Sequence, residues 1–422
     1  MVIKRVTRKL ARQFPALASR DFVLFLAGQF VSVIGTWMQN TAQPYLAYRI
    51  TGKPLDLGII GFASTLPTLL LALPAGVFVE RWDKRKTVII CQTIMSLQAF
   101  GMAALTFTGH IQIWHIAVFA LIFGSASAVE ITARQSMLIE LAGREALPSA
   151  IALQTTAFNV GRVLGPLTAS WLLILTGTEG SVFLANGISF IFVIGGLFLA
   201  RTQYKIVREN DEQKSVGAEF REGTAYIRKN SLVASLILMS AIVGFFGYPL
   251  LQQIPALARD VLKSISDTES IVAGRTSNLY AAQGVGALIA ALMATLLSSS
   301  RLKGRWVLLG QVAFILPLIA LGYANNLGIS LLLLLLIGWG TVTQLVTTNT
   351  LIQLKVPDEL RGRVFSIYLW ALQGVAPFGS LLIGWIAQTW GVPLAAFIGG
   401  LISLVTIGSL HLRNPSVRQA KA

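Results

Sequence analysis

Gly76-Val77-Phe78-Val79-Glu80-Arg81-Trp82-Asp83-Lys84-Arg85-Lys86 joins two apolar runs, 57–79 and 87–108. Each run reaches the roughly 20 mostly apolar residues that a helix needs to cross about 30 Å of hydrocarbon. At the end of such a helix a glycine lets a second helix approach closely, and an acidic side chain can face the positive end of a neighbouring helix dipole. The basic cluster that follows holds the loop on the cytoplasmic side. This stretch is therefore read as a tight inside turn between two spanning helices.

The same alternation runs outward in both directions. Segments 22–48, 57–79, 87–108, 113–141, 149–175 and 182–200 meet the length test in the first half, and 232–255, 277–297, 306–324, 329–350, 364–390 and 394–411 in the second. Asn159, Pro249 and Pro317 mark either breaks or kinks within them. Only 12% of the 422 residues are charged and 54% are apolar. A water-soluble surface needs about 25% charged residues, so lipid is the solvent for most side chains.

The net charge of +16 would suggest nucleic-acid binding in a soluble protein, but a basic groove must be continuous, and here the charge sits in short loops. Basic residues crowd into 4–20, 81–86, 144, 201–229, 301–305, 355–363 and 413–421, whereas Arg49, Lys53, Arg259, Lys263 and Arg275 fall on the other side. With an even number of crossings, this bias places both termini in the cytoplasm. No nucleic-acid partner is expected. The basic N-terminal stretch, Lys4, Arg5, Arg8, Lys9 and Arg12, precedes an apolar run too long for a cleaved signal and is read as leading into a retained first helix.

Residues 201–230 form the one long polar segment between apolar runs, with six runs on each side. The expected organisation is an N-terminal six-helix bundle (1–200), a cytoplasmic linker (201–230) and a C-terminal six-helix bundle (231–422). Phe220, Ala225 or Tyr226, and Ile227 fall to one side of the linker's second part, as in a helix lying on the membrane surface; a plain solvated connector is the alternative. The halves also carry traces of duplication. Leu138-Ile139-Glu140-Leu141 with Glu145-Ala146-Leu147 matches Leu351-Ile352-Gln353-Leu354 with Asp358-Glu359-Leu360 at constant spacing, and Arg81 and Arg85 recur as Arg301 and Arg305.

The Gly76 to Lys86 turn resembles the loop signature of the major facilitator superfamily, with Asp83 where the common pattern has glycine. That departure resembles the transmembrane secretion effector subgroup, which includes the enterobactin exporter and macrolide efflux proteins. Gly35-Thr36-Trp37-Met38-Gln39, Leu46-Ala47-Tyr48-Arg49-Ile50-Thr51-Gly52, Asn159-Val160-Gly161-Arg162-Val163-Leu164-Gly165-Pro166 and Val356-Pro357-Asp358-Glu359-Leu360-Arg361-Gly362-Arg363-Val364 extend the resemblance along the chain. It implies an all-α, twelve-helix transporter of the bacterial inner membrane, working by alternating access and exporting a small amphipathic compound (siderophore, drug or metabolite) in exchange for protons. A lipid or lysophospholipid flippase is the alternative. Its partners would be the small-molecule substrate, protons and membrane lipid, and it would act as a monomer. Gly161, Gly165 and Pro166 resemble the start of the fifth-helix motif of superfamily antiporters, but Ala169-Ser170 replaces the trailing glycine pair; simple helix packing is the other reading.

Ionisable residues at membrane depth are functional candidates. Glu130 is the one carboxylate well inside an expected helix, Arg134 lies one turn later on the same face, and Arg162 is in the next helix. They are expected to form a buried network that either couples protonation to alternating access or statically locks the fourth helix to the fifth. Gly76, Glu80, Arg81, Asp83 and Arg85 are expected to lie near Arg361 and Arg363 as a cytoplasmic gate, with a solvated loop as the alternative. Mid-helix amides and aromatics, Gln39, Asn40, Gln43, Phe245, Tyr248, Gln252, Tyr280, Gln283, Gln344, Asn349, Tyr368, Trp370 and Gln373, suit an amphipathic ligand with little net charge, although interhelical hydrogen bonding would use the same residue types. His110, His115 and His411 lie near helix ends and read as interfacial. A membrane enzyme would need a nucleophile with its base or clustered metal ligands. The sequence has no H-E-x-x-H, no serine with a matching histidine, no nucleotide-binding G-x-x-x-x-G-K-[ST] loop, and a single cysteine, Cys91. No enzymatic activity, cofactor or metal is expected.

Overall fold

The computed structural model describes residues 14–200, 216–264, 266–296 and 302–420, with the side chains of 72–81, 216–219 and 295–296 excepted. Helix is the only regular structure among these residues. Twelve of the helices are long and apolar enough to cross a membrane. In the first half they are α1 (Arg20–Thr51), α2 (Pro54–Arg81), α3 (Lys84–Phe107), α4 (Ile113–Ala142), α5 (Leu147–Thr176) and α6 (Gly180–Leu199). In the second they are α7 (Ser231–Gln252), α8 (Glu269–Leu296), α9 (Lys303–Leu321), α10 (Leu327–Lys355), α11 (Asp358–Trp390) and α12 (Val392–Arg413).

Local chemistry sets the ends. Asp83, Asn230 and Asn326 cap α3, α7 and α10 by accepting backbone N–H groups of the first turn. Gly177 closes α5 at φ 69°, a left-handed conformation that suits glycine. Several helices outrun the apolar stretches that announce them. Hydropathy marks only the hydrocarbon slab, whereas backbone hydrogen bonding continues into the headgroup layer. The largest difference is at α8, which begins at Glu269 rather than 277 and so takes Arg275 out of the expected outer loop and into a helix. Asn159, Pro249 and Pro317 all lie inside unbroken helices. Among the described residues, the expected run 232–255 ends its helix at Gln252, with a short helix Ile254–Ala256 following, and α11 is interrupted at Val375 between the segments Asp358–Gly374 and Ala376–Trp390. Pro377 has no N–H to offer the carbonyl four residues back, so the ladder fails there.

The chain divides into two compact units, Met1–Gln43 with Leu70–Glu209 and Pro44–Leu69 with Asn210–Ala422. The division runs through α1 and α2, so the latter part of α1 and the first part of α2 belong to the second unit.

In the first unit, Phe22 and Phe25 of α1 pack with Val88 of α3, Met137 and Leu138 of α4, and Val193 and Leu197 of α6. Close approach of α5 to α1 depends on two glycines. A Cβ on Gly161 would press on Val33, and one on Gly165 would collide with Trp37. In the second unit, the linker contains the helix Val216–Lys229, which docks on the first turns of α11. Glu222 pairs with Arg363, Gly223 sits under Ile367, and Phe220 meets Trp370 edge-on at 6.2 Å. The Tyr226 hydroxyl donates to the Lys355 carbonyl at 3.2 Å. The N-terminal basic residues Lys4 to Arg12, the linker residues 201–215 and Arg301 lie outside the described residues.

Candidate functional site

Three polar clusters stand out against the apolar background, two in the first unit and one in the second. The first centres on Glu130 of α4, 4% exposed. Its carboxylate accepts from Arg134 Nε at 3.0 Å and from Gln92 Nε2 of α3 at 3.2 Å. The i,i+4 spacing puts acid and base one above the other on the helix. Gln92, which sequence reasoning missed, ties the pair to a second helix. The Arg162 guanidinium of α5 lies 5.2 Å from the centre of the Trp37 ring of α1, a cation–π placement. Glu130 and Arg134 are thus joined directly, while Arg162 is held by an aromatic partner that the sequence had flagged only as part of a motif.

The second cluster is a relay of amides around Gln39, 1% exposed. Gln39 Nε2 donates to Gln98 Oε1 of α3 at 3.1 Å and to Gln43 at 3.3 Å. Its Oε1 accepts from Asn186 Nδ2 of α6 at 2.8 Å, and Asn186 Oδ1 accepts from Ser189 Oγ at 3.1 Å. Gln39, expected to line a cavity, instead fastens α1, α3 and α6 together. Gln98 and Asn186 had no sequence signal beyond being amides in apolar helices.

The third lies where α7 leads through a π-helical turn, Leu257–Val261, towards α8. The Tyr48 hydroxyl donates to the Asp260 carboxylate. The Tyr45 hydroxyl lies 3.0 Å from Glu269 Oε2 and 2.9 Å from the Glu269 carbonyl. Arg259 pairs with Glu269. Arg275, 8% exposed, grips both carboxylate oxygens of Asp267 at 2.9 and 2.6 Å and donates to the Ala258 carbonyl at 2.7 Å. The Arg275 guanidinium, helped by the Ser264 N–H, holds the Asp267 carboxyl below its ordinary 3.8. Gln253 Nε2 also donates to the Pro54 carbonyl at 3.2 Å. None of these acids was singled out from sequence, because each lies at the edge of an apolar run.

The remaining expected cavity residues separate by exposure. Gln283, Gln344 and Tyr368 are buried among helices. Tyr280 donates to the Leu251 carbonyl at 3.1 Å. Asn40, Tyr248, Trp370 and Gln373 are exposed, and Phe245, Gln252 and Asn349 are half-buried. Gln252 donates to Tyr248 at 3.0 Å, and Gln353 to Asn349 at 2.5 Å.

Among the expected gate residues, Gly76, Glu80 and Arg81 lie in the last turns of α2 with undescribed side chains. Asp83 is spent on capping α3 through the Lys86 N–H at 3.1 Å. Arg361 pairs with Asp358 on its own helix, and Arg363 pairs with Glu222 of the linker helix. His411 lies in the last turn of α12, as expected near a helix end. It is 5% exposed, with Nε2 2.6 Å from Gln311 Oε1. Among the described residues no group of histidine, cysteine and carboxylate side chains is arranged to hold a metal.

A sequence model of the transmembrane secretion effector family matches residues 11–422, nearly the whole chain. The chain belongs to that family. This secretion effector is 24% identical over 384 residues to the staphyloferrin A transporter of Staphylococcus aureus, covering 90% of this chain and 93% of that one. It is 22% identical over 413 residues to the multidrug efflux pump Tap of Mycolicibacterium fortuitum, covering 94% and 96%. To the enterobactin exporter EntS of Shigella boydii it is 23% identical over 391 residues, covering 92% and 90%. Its fold matches the crystal structure of a mutant form of the nucleoside transporter NupG with a TM-score of 0.69 at 14% identity, over 92% of this chain and 99% of that one. The secretion effector is therefore a multi-pass transporter of the bacterial plasma membrane, with the major facilitator fold.

Proposed function

We propose that this secretion effector exports a small amphipathic compound, of the siderophore or drug class, by alternating access driven by protons entering through Glu130. Whole-length similarity to relatives named for siderophore and drug transport supports the substrate class. The observation that carries the coupling is the carboxylate of Glu130, buried on α4 with one arginine and one amide as partners. Protonating Glu130 removes the charge that holds Arg134, and the freed guanidinium then seeks a new partner. That is a local electrostatic switch able to bias a two-state element. The exposed Asn40, Tyr248, Trp370 and Gln373 are the groups best placed to meet a ligand. In this reading both termini face the cytoplasm, and Glu80 and Asp83 with Arg361 and Arg363 serve the gate on that side.

Proteoliposomes with an imposed proton gradient, loaded in turn with a catecholate siderophore, a hydroxycarboxylate siderophore and a macrolide, test the proposal. Efflux of at least one should rise with the gradient, and Glu130→Gln should retain downhill exchange while losing the gradient's effect. Equal gradient dependence in Glu130→Gln would remove Glu130 from coupling. Movement of lysophospholipid alone would overturn the substrate class.

A further inference from the structure

The hydrogen bond from α3 to Glu130 of α4 crosses a seam between two apolar clusters. Val88 and Ala133 belong to the cluster nearer the start of α3, and Cys91, Met95 and Ala126 to the one beyond. Gln92, 2% exposed, and Glu130 meet between them. Gln92 Nε2 donates to Glu130 Oε1 at 3.2 Å. Chemistry fixes that orientation, since an ionised carboxylate only accepts hydrogen bonds and an amide donates from its nitrogen alone.

The other end of the amide is left over. Gln92 Oε1 is buried without a hydrogen-bond partner, although stranding a buried acceptor is costly. Ionisable neighbours are few. Arg134 Nε lies 3.0 Å from Glu130 Oε1 and 3.3 Å from Oε2, and the Cys91 thiol of α3 is within electrostatic reach of Glu130. Further along the same two helices Lys84 and Glu140 pair with each other at 2.7 Å. From α5 comes Arg162, stacked on Trp37. The ionisable residues of α1 lie near its ends, and α6 has none.

Protonating Glu130 changes what the seam requires. The acid gains a hydroxyl that must donate, and the unused acceptor beside it is Gln92 Oε1. Half a turn of the amide about its last side-chain bond exchanges Oε1 for Nε2 with little change in shape. A proton on Glu130 Oε1 then donates to Gln92 Oε1, while Glu130 Oε2 stays within reach of Arg134. Unturned, the amide strands both the new hydroxyl and its own carbonyl; turned, it strands only its NH2 group.

We propose that Gln92 is a positioning residue for proton uptake: its amide donates to Glu130 when that residue is ionised and reverses to accept from it when protonated. Both states of Glu130 then have a hydrogen bond from the same side chain. The inference rests on the reading that Glu130 takes up the coupling proton. That proton comes from water and returns to it, and Gln92 itself is never protonated.

Infrared difference spectra of the purified full chain, recorded between alkaline and acid pH, test the proposal. Acidification should produce a carboxylic acid C=O band that is absent from Glu130→Gln. With it, a glutamine C=O band should move to lower frequency, as a carbonyl does on accepting a hydrogen bond. Isotope-labelled glutamine should displace that band, and Gln92→Met, of similar length but without an amide, should lack it. Gln92→Met should also lower gradient-driven efflux by about tenfold, the worth of one hydrogen bond to a buried acid. A Glu130 acid band with no glutamine shift, a shift to higher frequency, a shift that persists in Gln92→Met, or undiminished gradient-driven efflux in that variant would each overturn the reversal. Should Gln92→Met fail to fold, the labelled wild type still decides, since a missing glutamine shift rejects the proposal. Absence of any Glu130-dependent acid band would instead remove protonation of Glu130 itself, and the reversal with it.

Discussion

At the residue scale, membrane burial turns polar side chains into fasteners. Gln39 joins three helices through Gln98 and Asn186. Interhelical hydrogen bonds in membranes contribute about 0.6 kcal/mol each, and a stranded buried partner costs more. Gln39→Ala should therefore lower unfolding stability by about 1–2 kcal/mol, read as a drop in thermal midpoint of the purified protein. An unchanged midpoint with altered substrate affinity would return Gln39 to the ligand site. Glu130→Gln strands Arg134 and should cost about 2–3 kcal/mol, since removing one member of a buried pair leaves the other charge uncompensated. The double variant Glu130→Gln, Arg134→Gln should recover most of that stability without recovering proton coupling, a cycle that separates the ion pair's structural role from its proposed function. Asp267 carries a pH dependence outside the membrane. Its folded-state pKa is held below 3.8, so the Arg275 contact contributes in full above about pH 4 and fades as pH falls through the lowered value. Wild-type thermal midpoints should drop more steeply than those of Asp267→Asn between about pH 4 and pH 2.

At the scale of elements, small residues decide which helices touch. Gly165 of α5 leaves no room for a side chain against Trp37 of α1. Gly165→Leu should overpack that crossing and cost about 1–3 kcal/mol, visible as poor yield or a lowered midpoint. The linker helix makes the same point on the second unit. The sequence offered a membrane-surface helix or a solvated connector, and what forms is a helix docked on α11 through Gly223 and the Glu222–Arg363 pair. Because that pair is partly exposed, Glu222→Ala should change stability by less than about 1 kcal/mol. Gly223→Leu should instead push the helix away from Ile367 and speed trypsin cleavage at Arg228 and Lys229. The amphipathic pattern was legible because it is local. Its partner was not, since nothing near Gly223 in sequence encodes the face of α11.

At the scale of the whole molecule, the latter part of α1 and the first part of α2 pack as members of the second unit, with Tyr45 and Tyr48 bound to acids at the α7–α8 junction. If access alternates as proposed, those tyrosines keep Asp260 and Glu269 as partners throughout the cycle, because all four lie within the second unit. Joining Tyr48→Cys to Asp260→Cys with a short bifunctional maleimide should therefore leave transport intact, and arrest by the bifunctional but not the monofunctional reagent would show that the contact opens; the buried native Cys91 serves as the control. The sequence by itself determined twelve helices and a membrane environment, because a stretch of some 20 apolar residues answers to the thickness of hydrocarbon whatever lies beside it. The transmembrane secretion effector resemblance was legible for a related reason, residing in contiguous motifs such as Gly76 to Lys86. The tertiary structure alone decided that Gln39 is a fastener, that Arg162 meets Trp37, that Arg275 is buried on Asp267 and that Gln92 meets Glu130. Each of these joins side chains far apart along the chain or set by a helix end, and in lipid, where apolar residues give little preference for one neighbour over another, close packing and hydrogen-bond geometry make that choice.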